Sequence, residues 1–131
     1  MSGWNAYIDN MILSSPAIKR AAIVGLDGSV WARTEGDKQF KAGEAELKTF
    51  TALFNDVFNV PSTGADIEGV HYVVPRAEES LIFGKKDNTG FFAVKTKTAV
   101  LIAVYEGPNE VAATVRKTVE SVGGYLTSSG Y

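Results

Sequence analysis

The sequence has no cysteine, and histidine and proline are scarce: its 131 residues include one histidine and four prolines. Without cysteine, the chain cannot form disulfides, use a thiolate nucleophile or bind zinc through sulfur. The single histidine, His71, has no second histidine with which to build a nucleophilic pair or a metal site. We therefore expect no cofactor, no metal and no enzymatic activity.

An excess of positive charge is also missing. Lysine and arginine number 13 against 15 aspartates and glutamates, so the formal net charge is −2. A chain with this balance has no broad basic field that would attract nucleic acid. No apolar run approaches the roughly 20 residues that span a bilayer, and no basic segment followed by an apolar core opens the chain. We expect a cytoplasmic protein that does not bind nucleic acid.

Three segments have the apolar spacing of amphipathic helices, within a length typical of one domain over residues 1–131. The first covers residues 4–13, with Ser2 as a candidate N-cap. The second is "GEAELKTFTALFNDVFNV", whose apolar stripe includes Phe58 and which we expect to end before Pro61. The third is "EVAATVRKTVESVGGYL", which follows Pro108.

The remaining segments are typical of β-strands. In "AIKRAAIVGLDGSVWARTEG" two apolar runs flank Asp27 and Gly28, a dipeptide that favours a tight hairpin turn. Four more runs follow, "IEGVHYVVP", "SLIFGKK", "GFFAVKT" and "AVLIAVYE", with turn clusters at 76–79, 87–90 and 95–98. Such short connections require antiparallel pairing. The sequence therefore predicts an α+β fold around one central antiparallel sheet.

Large aromatic residues accumulate near both ends of the chain: Trp4, Tyr7, Tyr125 and Tyr131. Two glycines interrupt the last helix at 123–124, at a cost of about 1 kcal/mol each, which favours a close approach to the first helix. Such packing would join the four rings on one surface, with Trp31 as a fifth member. Aromatic residues at helical spacing often belong to the core. A half-exposed cluster of tryptophan and tyrosine instead favours a shallow groove for polyproline II peptides.

Several of these stretches match one known family in order and spacing. They are "SGWNAYIDN", the hairpin "AAIVGLDGSVWA", the strand segments "GVHYVVPRA", "IFGKK" and "AVKTKTAVLIAVYE", and the aromatic tail. Over essentially its whole length the chain resembles profilin, and in particular the shorter, non-vertebrate members. The resemblance implies a central antiparallel sheet with the N- and C-terminal helices packed together on one face and a further helix on the other.

The resemblance also implies a function. The chain would bind monomeric actin, regulate actin polymerisation and nucleotide exchange, bind poly-L-proline segments of actin-assembly factors, and bind phosphoinositide lipids, acting as a monomer in the cytoplasm and cytoskeleton. The poly-L-proline site would comprise Trp4, Tyr7, Trp31, Tyr125 and Tyr131. The actin site would comprise His71, Val73, Arg76, Lys86, Phe91, Ala113, Arg116, Lys117 and Ser121. The phosphoinositide site would comprise Arg76, Lys85, Lys86 and Lys117.

Some positions depart from the family's pattern. Pro75 stands where longer members carry an aliphatic residue, and Val111 and Ala113 replace a histidine and a glycine. These departures leave a second hypothesis open, a proline-rich-ligand adaptor of the same fold with weak or no actin binding. A third, from a different class, is a small enzyme whose pocket uses His71.

Overall fold

The computed structural model describes residues 3–36 and 39–131, so Ser2, the predicted N-cap, lies outside the described residues. The helices are α1 Gly3–Ser14, α2 Glu44–Ala52, α3 Val60–Thr63 and α4 Asn109–Ser128, and a 3₁₀ segment, Leu53–Asn59, joins α2 to α3. The strands are β1 Ile18–Gly25, β2 Val30–Arg33, β3 Ala65–Ile67, β4 Val70–Glu78, β5 Leu81–Lys86, β6 Thr89–Lys95 and β7 Ala99–Glu106.

The strands form one sheet in the order β2-β1-β7-β6-β5-β4-β3, and every neighbouring pair is antiparallel. Strands β3 to β7 follow one another as a meander. The sheet is completed by a pairing distant in sequence, in which β1 lies beside β7 with Ile23 opposite Leu101. The predicted antiparallel α+β fold is confirmed.

Both faces of the sheet are covered. Neighbouring residues in a strand point to opposite faces, so Phe91 packs in the core that includes α2, and Phe92 in the core that includes α1 and α4. Both rings are buried. The central strands therefore read as nearly continuous apolar runs, and the predicted placement of terminal helices on one face and a middle helix on the other is confirmed.

Two predicted elements are divided in the structure. The predicted second helix is divided into α2, the 3₁₀ segment and α3, and it does not end before Pro61. Pro61 lies in the first turn of α3, where a missing N–H costs nothing. The predicted strand over 67–75 is interrupted by a turn at Glu68 and Gly69, both with positive φ. In contrast, β4 continues into the segment 76–79 that was predicted as a turn, and it ends at Glu78.

The glycines of α4 do not contact α1 as expected. A Cβ on Gly123 would lie 3.0 Å from Cγ1 of Val94, so this glycine allows α4 to approach β6. Gly124 faces open space. The two terminal helices are brought together by the sheet beneath them. No helix in the described part of the chain has both the length and the apolar character needed to cross a membrane.

Candidate binding surfaces

Five aromatic side chains from both ends of the chain and the first hairpin converge on one surface, called here the aromatic groove: Trp4, Tyr7, Trp31, Tyr125 and Tyr131. The ring centroid of Trp4 lies 4.8 Å from that of Trp31, 4.7 Å from that of Tyr131 and 5.8 Å from that of Tyr7. Tyr7 and Tyr125 continue the row at 5.7 Å. The structure brings together all five residues that the sequence placed there.

The five rings come from four parts of the chain. Trp4 and Tyr7 lie one turn apart on α1, Trp31 projects from β2 and Tyr125 from α4. Tyr131 follows α4 and is fixed through its backbone. Its carbonyl oxygen accepts hydrogen bonds from the Oγ1 of Thr96 at 2.8 Å and from the N–H of Thr98 at 2.6 Å.

The aromatic groove is anchored on one side and accessible on the other. Trp4, Tyr7 and Trp31 are half-buried and pack against the core beneath α1 and α4. Tyr125 and Tyr131 expose 59% and 42% of their surface. Beside Tyr7 and Tyr125, a cavity of about 470 Å³ opens between α1 and α4. The rings therefore form a fixed surface open to a ligand, and its indole and phenol groups can donate hydrogen bonds.

A second surface is formed by β4, β5 and α4. Here Glu78 accepts hydrogen bonds from Arg76 and Arg116, each at 3.2 Å, although β4 and α4 are distant in sequence. Arg116 also pairs with Glu120 at 3.3 Å. Hydrogen bonding to Glu120, with the charges of Glu120 and Glu78, raises the pKa of Arg116 above its ordinary value. Arg76 and Arg116 are thus joined by one carboxylate, which offsets part of their charge.

Most of the other residues predicted to bind actin are exposed. Val73 on β4 exposes 65% of its surface. The exposed residues also include His71, Lys86, Ala113, Lys117 and Ser121.

Phe91 must be corrected, because it is fully buried and packs edge-on against Phe50 and Tyr72, where no partner protein can reach it. Conversely, Phe58 is 80% exposed although its spacing predicted a core position. It belongs to the 3₁₀ segment, which packs near β4. No pattern in the sequence indicated that Phe58 was accessible.

His71 has a local structural partner. Its Nδ1 lies 2.7 Å from Oδ1 of Asp66, directly across the β3–β4 pair. Both side chains are exposed, and no group of three or more His, Asp or Glu that could hold a metal ion occurs in residues 3–36 and 39–131. Nothing here resembles a nucleophilic pair.

The predicted lipid-binding cations differ in their environments. Arg76 is paired with Glu78, and the Nζ of Lys85 donates to the carbonyl oxygen of Asp87 at 2.8 Å. Lys86 and Lys117 are exposed, and neither forms an ion pair with any residue the structure describes.

The fold and its two accessible surfaces define a small α+β binding protein. The family model for profilin matches residues 2–131, and the chain is 77% identical to profilin-1 and 61% identical to profilin-2 of Caenorhabditis elegans, each alignment covering 100% of both chains. The chain belongs to the profilin family. Profilins are non-enzymatic actin-binding proteins, so the expectation that this chain is not an enzyme is confirmed.

The fold agrees with solved profilin structures. Profilin IB of Acanthamoeba castellanii superposes with a TM-score of 0.86 at 35% identity, covering 98% of this chain and 100% of that one.

Proposed function

We propose that this profilin binds monomeric actin through the surface of β4, β5 and α4 and poly-L-proline segments of actin-assembly factors through the aromatic groove. It thereby regulates actin polymerisation and nucleotide exchange on actin, acting as a single-domain monomer in the cytoplasm. The observation that carries this proposal is the convergence of rings from α1, β2 and the tail after α4 around Trp4, with Tyr125 of α4 beside Tyr7.

The aromatic groove suits a polyproline II helix for three physical reasons. That helix is stiff before binding and therefore loses little entropy, and its three-residue repeat presents rings at regular intervals. Its carbonyls have no internal hydrogen bonds and can accept from indole and phenol groups. Few contacts are made, so we expect a Kd in the roughly micromolar to millimolar range.

Two solved relatives of the same fold were determined with ligands of these two kinds. Mouse profilin IIa, 22% identical with a TM-score of 0.76, was solved in complex with a double repeat from the FH1 domain of mDia1. The LokiProfilin2/rabbit actin complex contains a relative 18% identical with a TM-score of 0.68. We propose that this chain has both binding activities.

The proposed actin-binding surface combines apolar and charged groups. Val73 and Phe58 are exposed apolar side chains on elements that pack together, and Arg116 and Lys117 lie on the adjoining helix α4. Exposed apolar groups with charges around them are typical of protein interfaces. The remaining members of this surface are His71, Arg76, Lys86, Ala113 and Ser121.

Two titrations test the proposal. The first measures binding to monomeric actin, and the second follows tryptophan fluorescence as a poly-L-proline peptide is added. We expect saturable binding in both, and simultaneous binding when the ligands are combined, because none of the five rings of the aromatic groove belongs to the proposed actin-binding surface. Absence of a fluorescence change with the peptide, together with no retention on a polyproline column, would refute the assignment of the aromatic groove.

A second candidate is a proline-rich-ligand adaptor with weak or no actin binding. It is favoured by the pairing of Arg76 and Arg116 through Glu78 and by Val111, which is partly buried and packs against the core. Assembly of pyrene-labelled actin separates the two candidates. The leading proposal expects wild-type protein to slow spontaneous assembly and Lys117→Glu to weaken that effect, whereas the adaptor expects no effect of either protein.

Phosphoinositide binding is the third component of the proposal. It is supported by Lys86 and Lys117, which have no ion-pair partner among the described residues, with Arg76 and Lys85 as further members. Co-sedimentation with vesicles that contain phosphatidylinositol bisphosphate tests it. We expect modest, salt-sensitive binding that Lys86→Gln reduces. Equal sedimentation with vesicles of neutral lipid would contradict it.

A further inference from the structure

The cavity beside Tyr7 and Tyr125 does not end there. A second cavity of about 250 Å³ adjoins it between α1 and α4, and both are lined by Asn10, Ser121 and Val122. The second cavity extends to Ser14 and Lys117. The aromatic groove therefore continues along the two helices as a channel, called here the helical extension.

The helical extension has a single charged group. Its lining in the described residues includes no aspartate or glutamate, and Lys117 is its only lysine or arginine. The neighbouring Glu120 is paired with Arg116. Asn10 accepts a hydrogen bond from Ser14 through its Oδ1 at 3.0 Å, so its NH₂ group remains as a donor. The extension thus offers a cation and an amide donor to its occupant.

The opposite end of the aromatic groove carries the opposite charge. A Cβ on Gly25 would lie 2.8 Å from Oδ1 of Asp27 and 2.9 Å from Nε1 of Trp31, which places this carboxylate beside the indole edge. Hydrogen bonds from the side chain and backbone of Ser29 lower the pKa of Asp27 and keep it ionised. A carboxylate therefore lies beside Trp31 and an ammonium group at Lys117.

We propose that the groove selects proline-rich peptides with an acidic residue about four positions from the proline that contacts Tyr125, and that Lys117 binds this residue. The proposal rests on the proposed function of the aromatic groove. Lys117 and Tyr125 are eight residues apart on α4, or about 12 Å at 1.5 Å per residue. A polyproline II helix rises about 3.1 Å per residue, so four residues cover that distance.

The experiment uses three peptides with the same proline core. One carries glutamate four residues before the core, one carries glutamate four residues after it, and one carries glutamine at both places. Glutamate on each side covers both directions in which a peptide can lie. Calorimetric titration at low salt should show one glutamate peptide binding about two- to fivefold tighter than the glutamine peptide, as expected for an exposed ion pair.

The affinity of the tighter-binding glutamate peptide, divided by that of the glutamine peptide, is then measured for each protein variant. Lys117→Gln should remove the advantage of the glutamate peptide, and the matched control Lys41→Gln, an exposed lysine of the β2–α2 connection, should retain it. Added salt should also reduce the affinity advantage of the glutamate peptide. An equal affinity for all three peptides, or an advantage that survives Lys117→Gln, would overturn the inference.

Other outcomes distinguish a failure of the proposed function from a failure of the inference about the helical extension. If the glutamine peptide itself does not bind, the proposed function of the aromatic groove is wrong. If it binds but glutamate adds nothing, only the role of the helical extension is wrong. If Lys117→Gln lowers binding to phosphatidylinositol bisphosphate vesicles without changing the peptide ratio, Lys117 belongs to a lipid surface and the inference is overturned.

Discussion

The side-chain Nε of Arg20 lies 2.9 Å from both carboxylate oxygens of Glu68. Arg20 is on β1, near one edge of the sheet, and Glu68 is in the β3–β4 turn at the other edge. The curl of the sheet brings these two ends together across the core that contains α2. Glu68 also accepts the N–H of Lys41 at 2.8 Å, and its own N–H and that of Gly69 donate to Glu46. This network fixes a turn whose backbone is otherwise unfavourable.

Arg20→Ala should lower the free energy of unfolding by about 1–3 kcal/mol, because it leaves a carboxylate that is only 7% exposed without its cation. Urea denaturation measures the change. The matched control is Arg33→Ala, which breaks an exposed pair with Glu35 and should cost no more than about 0.5 kcal/mol. Equal costs for the two variants would show that the Arg20–Glu68 pair contributes nothing specific.

Trp4→Ala should reduce affinity for poly-L-proline by more than about tenfold, because Trp4 is in contact with three other rings of the groove. It should also cost about 1–3 kcal/mol of stability, since the ring is half-buried. Leu53→Ala, which removes a half-buried side chain from the opposite face of the sheet, controls for the loss of stability. Undiminished retention of the Trp4 variant on a polyproline column would exclude Trp4 from the binding site.

Thr96→Val should weaken poly-L-proline binding a few fold although Thr96 is buried and touches no ligand. The substitution preserves shape and removes the hydroxyl, which donates to the carbonyl oxygen of Tyr131 and accepts the N–H of Ala99, so that the ring of Tyr131 is held less firmly. Fluorescence titration measures the affinity. The reference is the affinity of Thr49→Val, because the Thr49 hydroxyl bonds only to its own helix. Identical affinities in the two variants would mean that the Thr98 contacts suffice.

Val73→Asp should weaken binding to monomeric actin by at least about tenfold, because an apolar contact is replaced by a charge that must be desolvated in the interface. Its stability should change little, since the side chain is exposed. Leu26→Asp places the same charge at an exposed apolar position on the β1–β2 hairpin. If both variants bind actin as the wild type does, β4 is not part of the actin-binding surface.

The elements with one buried face could be predicted from the sequence. Helices α1 and α4 each bury one stripe and expose the other side, so their apolar spacing identifies them. The aromatic groove could be predicted for a related reason: rings as large as Trp4 and Tyr131 near chain ends must pack on something. Trp31 lies beside these rings because the short hairpin places β2 at the sheet edge next to α1.

Other features depend on contacts between distant residues. Phe91 and Phe92 are both buried because both sheet faces are covered, so alternation could not tell which core each one enters. Phe58 is exposed because the backbone at Asp56 is not helical, with φ −146° and ψ 56°, and this interrupts the apolar stripe. Gly69 is a local turn signal, but the positive φ of Glu68 could not be predicted, since the distant Glu46 fixes this part of the turn.

Tyr105→Phe should preserve or raise the free energy of unfolding, by up to about 1 kcal/mol. The Tyr105 hydroxyl is buried and has no hydrogen-bond partner among the described residues, so its desolvation is not offset by a hydrogen bond. Tyr72→Phe is the matched control: the Tyr72 side chain is also buried, but its hydroxyl interacts with the side chain of Thr89, and loss of this interaction should cost about 1 kcal/mol.

Burial also raises the pKa of both tyrosines above the ordinary value of 10.0. The folded state therefore favours the neutral phenol, and this stability is fully present below about pH 10 and lost as pH rises through the raised pKa. Urea denaturation at pH 7 and above pH 10 should show a smaller alkaline loss of stability in each phenylalanine variant than in the wild type. A Tyr105→Phe protein that is less stable at neutral pH and equally sensitive to alkali would mean that the hydroxyl has a partner in solution.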